Sequence, residues 1–191
     1  MHRILLTAWA IGMAVVAVYG TTSRAVAGDD SDADLREAMR LWCTQAGTWT
    51  GTIDVTGSDG KVQRMELVTT HDCTESARHH IVRERFGADL STVKVTFIDA
   101  VARAFQTSYF AGGKESLYRF VYVSALAKDD RHWKTIIASP PGSETYEGRQ
   151  ATLRYIRVRD GDTVTSWKDV QFVDGEQDFE PRSKIVQTLR P

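Results

Sequence analysis

The sequence predicts an all-β protein, an antiparallel up-and-down β-barrel of about ten strands that follows one short N-terminal helix. After residue 47 the apolar residues alternate with period two, Gly- and Asp-rich turns recur at short intervals, and no second helical pattern separates the strands. Parallel strands need crossover connections, so these strands are expected to be antiparallel. Closing such a meander into a barrel removes its exposed edges, and a β-sandwich or half-open barrel is the alternative.

Residues 1–27 have the pattern of a secretory signal peptide. A short basic start precedes an apolar run from Ile4 to about Tyr19, and Ala25-Val26-Ala27 is a small-x-small cleavage site. We therefore expect a secreted or periplasmic protein whose mature chain, residues 28–191, forms a single β-barrel domain. The apolar run is short for a membrane span, so we expect no stable span after cleavage.

The charge of the mature chain argues against two classes of partner. Removing the leader takes away Arg3 and Arg24, which leaves 22 basic and 25 acidic residues and a net charge of −3. Nucleic acids and anionic membranes attract basic surfaces, and this composition offers none. We expect a monomer with no nucleic-acid partner.

The first two elements carry the clearest patterns. A helix of about three turns is predicted to open at Ser31, because apolar residues fall at i, i+3, i+4 and i+7: Leu35, Ala38, Met39 and Trp42. Strand one is predicted over 48–55, with Trp49 as the bulkiest residue of its buried face. Gly51 on that face is typical of a bend or a close approach of another backbone.

The remaining strands follow from the same alternation between turn residues. They are predicted over 61–70, 77–86, 92–98, 102–110, 117–124, 132–137, 151–159, 163–172 and 184–190. The stretch 139–148 contains Pro140-Pro141-Gly142 and is expected to be the longest surface loop.

Cys43 and Cys73 are the two cysteines of the chain, and an even pair in an exported protein favours a disulfide. The first hairpin is predicted to turn about Ser58-Asp59, which sets Cys73 opposite a position within one residue of Cys43. The bridge is thus expected to tie the helix to the barrel. An oxidised cysteine does not bind metal, so we expect no metal site among Cys73, His71 and His79-His80.

Seven aromatic residues on several strands are the candidate ligand-binding set: Trp49, Tyr118, Phe120, Tyr122, Trp133, Tyr155 and Trp167. Barrel interiors are lined in this way when they hold a small apolar ligand, and the alternative is that the rings simply fill the core. Tyr118, Phe120 and Tyr122 alternate along one predicted strand and are expected to share one face.

No pattern for catalysis is present in the sequence. It contains no Gly-x-Ser-x-Gly elbow, no paired carboxylates and no phosphate-binding loop. His79 and His80 are consecutive on a strand, so at most one of them points inward. Charges alternate with apolar residues at Arg154, Arg157 and Lys168, so some polar groups are expected to line the cavity. We expect no catalytic residue and no cofactor.

A short N-terminal helix followed by Gly47-x-Trp49 on the first strand resembles the lipocalins and their calycin relatives. In those families the Trp closes one end of the barrel and a basic residue of the last strand lies across it, which implies this structural role for Arg190. Ten-stranded relatives, the nitrobindin-like haem proteins, are closer in strand number. They bind haem through a late His, and this sequence has none after His132.

These features together predict an exported β-barrel that holds a small, largely apolar molecule in its interior. Two other classes stay open. One is a carrier or assembly factor for envelope lipids or lipoproteins, built as a half-open barrel capped by the helix. The other is a barrel enzyme that acts on a bound small molecule.

Overall fold

The structure, a computed structural model, describes residues 30–88, 90–175 and 178–190. The described part contains one helix and twelve strands: α1 (Asp30–Cys43), β1 (Gly47–Thr56), β2 (Val62–Cys73), β3 (His79–Phe86), β4 (Leu90–Asp99), β5 (Ala104–Ala111), β6 (Lys114–Phe120), β7 (Tyr122–Asp129), β8 (His132–Ala138), β9 (Glu144–Tyr146), β10 (Arg149–Asp160), β11 (Thr163–Phe172) and β12 (Glu180–Leu189). The predicted all-β class with one short N-terminal helix is confirmed. The predicted signal peptide lies outside the described residues.

All the strands pair antiparallel in one sheet, in the order β6-β5-β4-β3-β2-β1-β12-β11-β10-β8-β7, and β9 adds to β10. The first and last strands lie side by side, with Trp49 opposite Leu189. The two ends of the sheet, β6 and β7, follow each other in the chain, joined by Val121. The segment 114–129 thus pairs with β5 through its first half and with β8 through its second. The sheet closes almost completely, so the predicted barrel is confirmed over the sandwich.

The strand predicted over 117–124 is wrong in one respect, because the structure divides it at Val121. There the chain leaves β5, and the Val121 N–H donates to the carbonyl of Ala138 on β8 at 3.0 Å. The change of partner reverses the alternation of inward and outward side chains. A further short strand, β9, lies inside the stretch that was predicted to be a loop.

Gly51 lies where β12 passes closest to β1. A Cβ atom built on Gly51 would lie 1.9 Å from the carbonyl oxygen of Val186 and 2.8 Å from the Cα of Gln187. Both atoms are backbone and cannot rotate away, so any side chain at this position would force the two strands apart. The close backbone approach expected at Gly51 is confirmed.

Helix α1 covers one end of the barrel. Its predicted apolar face is buried, and Leu41 is buried with it. The helix packs in one cluster with inward side chains of β5, β6 and β8: Phe105, Phe120, Trp133 and Ile137. Burial of such side chains contributes roughly 1.5–3 kcal/mol each, so docking on the barrel rather than helix propensity holds this short helix in place.

The disulfide predicted between Cys43 and Cys73 is confirmed, with Cα atoms 5.6 Å apart. The β1–β2 register differs by one residue from the predicted one, because Thr56 pairs with Val62 and the turn centres on Asp59. The bridge tolerates this difference since Cys43 belongs to the helix and not to the hairpin. A disulfide indicates an oxidising, extracytoplasmic location.

Candidate ligand-binding site

The barrel interior lies between two apolar clusters. The helix cluster closes one end, as described above. At the other end of β10 and β11, Ala151, Leu153, Val170 and Phe172 form a second cluster. Tyr118 and Tyr155 pack against both clusters, so these two side chains lie between the two clusters.

The predicted aromatic set divides into an inward and an outward group. Trp49, Phe120 and Trp133 are buried, and Tyr118 and Tyr155 are partly buried on the inner face. Phe120 packs edge to face against Tyr155, with ring centroids 5.5 Å apart. These rings therefore connect β6 with β10 inside the barrel. Ligand binding by these five residues stays a prediction.

Tyr122 and Trp167 do not face the interior, which corrects their predicted placement. Tyr122 is 54% exposed, because the change of partner at Val121 reverses the alternation that Tyr118 and Phe120 follow. Trp167 lies on the outer face of β11, where it lines a shallow groove with Ile156 and Val158. Its neighbour Lys168 takes the inward position, and the Lys168 ammonium lies 4.5 Å from the centroid of the Tyr146 ring.

Three polar side chains of β10 and β11 belong to the inner wall of the barrel: Tyr155, Arg157 and Lys168. These side chains alternate with outward residues and therefore face inward, yet each keeps part of its surface accessible to a water-sized sphere. Burial nevertheless raises the pKa of the Tyr155 phenol and lowers the pKa of Lys168 to about 8. The region between the two clusters is therefore lined by polar groups that are largely removed from water.

Two histidines form a buried pair on the inner face of β2 and β3, next to Trp42 of the helix. The Nδ1 of His71 and the Nε2 of His80 are 3.0 Å apart, so one ring donates a hydrogen bond to the other. Both are almost fully buried, at 3% and 2% exposure. Burial is the main cause that lowers the pKa of each imidazole, and the positive charges of Arg157 and Lys94 lower it further. The pair is therefore neutral at neutral pH.

Trp42 connects the helix to the interior. Its Nε1 donates to the hydroxyl of Thr135 at 2.9 Å, and its ring packs on Phe105 and His80, with centroid distances of 4.8 and 5.7 Å. The guanidinium carbon of Arg157 lies 5.3 Å from the centroid of the same ring. The helix therefore covers the interior with an indole that contacts His80 and lies beside the guanidinium of Arg157.

The charged groups of the interior differ in how completely they are hydrogen-bonded. Glu84 accepts hydrogen bonds from Lys94 at 2.8 Å and from Thr92 at 2.9 Å, which occupies both of its carboxylate oxygens. The Nη1 of Arg157 is buried and has no hydrogen-bond partner among the described residues. Burial lowers the pKa of Arg157 to about 10, so the guanidinium stays charged at neutral pH.

The structural role implied for Arg190 belongs to another residue. The guanidinium carbon of Arg159 on β10 lies 5.4 Å from the centroid of the Trp49 ring, and its Nη1 donates to the carbonyl of Thr44 at 2.6 Å. Arg190 is exposed. Leu189 is the residue opposite Trp49, so Arg190, one position further along, faces away from the indole.

Sequence reasoning identified part of this site. It anticipated that one of His79 and His80 points inward, and the structure buries His80 while His79 is exposed. It also anticipated inward polar groups, which Arg157 and Lys168 supply, whereas Arg154 faces outward and pairs with Asp169 at 2.7 Å. The pairing of His71 with His80 was missed, and only the β2–β3 register could have indicated it.

Within the described residues no three or more His, Cys, Asp and Glu side chains come together as a metal site. In the same part of the chain, no helix has the length and apolar content to cross a membrane.

The fold defines a nearly closed antiparallel β-barrel that is covered at one end by a helix. No protein-family model matches the chain, and no curated protein matches it in sequence. Among solved structures it is similar to the crystal structure of Rv2717c from M. tuberculosis, with a TM-score of 0.58 and 8% sequence identity over 81% of this chain and 98% of that chain. At this identity the likeness shows a shared fold alone.

Proposed function

We propose that the protein is exported and binds one small, largely apolar molecule inside its barrel. The observation that carries the proposal is the set of inward-facing aromatic and polar side chains between the helix cluster and the Phe172 cluster, with Tyr118 and Tyr155 at its centre. Ligand sites in barrels are concave, mostly apolar and set with a few polar groups, and this interior has that composition. The disulfide and the predicted leader support export to a secreted or periplasmic location.

A titration of the delipidated protein with N-phenylnaphthylamine tests this proposal, because this neutral dye fluoresces on entering an apolar site. We expect saturable binding of one dye per chain. Tyr155→Ala should weaken the binding several-fold, whereas Tyr122→Ala should leave it unchanged, since Tyr122 lies on the outer face. Weak, unsaturable binding, or equal effects of the two substitutions, would contradict an interior site.

A carrier of envelope lipids is the second candidate, and the incomplete pairing between β6 and β7 favours it as a place where the wall could part. Transfer of a labelled phospholipid between two vesicle populations separates the two functions. A carrier accelerates the transfer in proportion to protein concentration, and a simple binding protein does not.

A further inference from the structure

The positive charge inside the barrel exceeds what its acidic groups balance. Lys94, Arg157 and Lys168 face the interior from β4, β10 and β11. Two further buried arginines, Arg159 and Arg182, are hydrogen-bonded to Thr44 and Glu180. Glu84 is the acid whose charge acts on Arg157, and its two oxygens are already hydrogen-bonded to Lys94 and Thr92. A buried guanidinium that keeps a free N–H is costly unless an acceptor meets it, because the group has left water without regaining its hydrogen bonds.

Arg157 is also held in position. The Trp42 ring lies on one side of its guanidinium, and the Nη1 atom is itself buried. Ser166 and Thr135 are its partners on the two neighbouring strands. The Thr135 hydroxyl accepts the Trp42 N–H, which fixes the indole on which the guanidinium rests. A pre-positioned guanidinium with one unpartnered N–H inside the barrel is a ready site for an anion.

We propose that the barrel selects an amphiphilic organic anion, whose acid group accepts a hydrogen bond from the Nη1 of Arg157 and whose apolar part packs against Tyr118 and Tyr155. This inference rests on the proposed function, because it names the class of molecule that enters the same interior. Lys94 and Lys168 add a positive field without offering a second guanidinium. The ligand class is therefore a carboxylate, sulfonate or similar acid on a hydrocarbon or aromatic body.

Two dyes that differ only in charge test the selection. N-phenylnaphthylamine and anilinonaphthalene sulfonate share one ring system, and only the second carries an acid group. We expect the intact protein to bind the sulfonate at least about tenfold more tightly than the neutral dye, the ratio that corresponds to one charge-assisted hydrogen bond. Arg157→Met should remove this preference, because it should weaken the binding of the sulfonate about tenfold more than the binding of the neutral dye.

Arg154→Met is the matched control, because Arg154 lies three residues away on the same strand but faces outward against Asp169. It should keep the full preference for the sulfonate. Arg157→Gln repeats the test in the event that Arg157→Met does not fold, and the comparison of the two dyes on the unsubstituted protein needs no variant.

Three results would overturn the inference. Equal affinities of the unsubstituted protein for the two dyes would remove the preference for an anion and leave the proposed function intact. A preference that survives Arg157→Met or Arg157→Gln would show that another group binds the acid. If neither dye binds with one-to-one saturation, the proposed function fails, and this inference fails with it.

Discussion

At Gly51 a single added methyl group would prevent the close packing of β1 against β12. The Cβ of an alanine would overlap the Val186 carbonyl, and both strands are held by neighbours on their other sides. We predict that Gly51→Ala lowers the free energy of unfolding by more than about 2 kcal/mol. Urea unfolding measures the change. Thr50→Ala at the adjacent position is the control, and equal stability of the two variants would contradict the close approach.

The histidine pair predicts how stability depends on pH. His71 and His80 have a lowered pKa in the folded protein, so the unfolded chain binds protons at a higher pH than the folded one. Their contribution is fully present above the unfolded pKa of about 6.5 and is lost as the pH falls below it. The slope is up to about 1.4 kcal/mol per pH unit for each histidine.

Unfolding free energies between pH 7.5 and about 5 measure this slope. The double substitution of His71 and His80 by Gln should flatten it. His79→Gln should not, since His79 is exposed on the outer face against Phe97. A slope that His79→Gln removes and the double substitution retains would contradict the assignment to the buried pair.

At the scale of elements, the disulfide is the covalent link between the helix and the strands. It joins the last residue of α1 to the last residue of β2, and Trp42 beside it contacts the interior. We predict that replacing both cysteines by Ser lowers stability by roughly 3–4 kcal/mol on the chain-entropy model.

Hydrogen exchange locates the effect of that substitution. The amides of α1 should lose protection before those of β1 and β12, because the helix is then held by side-chain packing alone. Uniform loss of protection over helix and strands would show that the bridge does not act on the helix in particular.

Strand positions could be predicted from the sequence because period-two burial and turn residues are local signals. Most strands of the structure lie within a few residues of their predicted bounds. The position of Tyr122 could not be predicted, since its side is set by a change of pairing partner at Val121 that leaves no mark in composition. The site was predictable as a set of aromatic residues with some inward polar groups, but the contacts among them were not. The Nη1 of Arg157 has no partner in the described part of the chain because the nearby carboxylate, Glu84, is hydrogen-bonded to Lys94. This arrangement exists only once the barrel has closed.

At the scale of the whole molecule, export through the predicted signal peptide and oxidation of the cysteine pair can be tested together. The exported protein should begin at Gly28 and contain no free thiol. Intact-mass measurement with and without an alkylating reagent checks both points. A mass that includes residues 1–27, or two alkylated thiols without reductant, would contradict export through this leader or oxidation of the pair.

The central claim is that the barrel interior is a ligand site, and the position of a bound heavy atom tests it most directly. Crystals of the delipidated protein soaked with bromododecanoic acid would locate the bromine by its anomalous signal. The account predicts one peak inside the barrel, between the helix cluster and the Phe172 cluster, with the carboxylate beside Arg157. A peak only in the outer groove beside Trp167, or an interior filled by side chains with no peak, would contradict it.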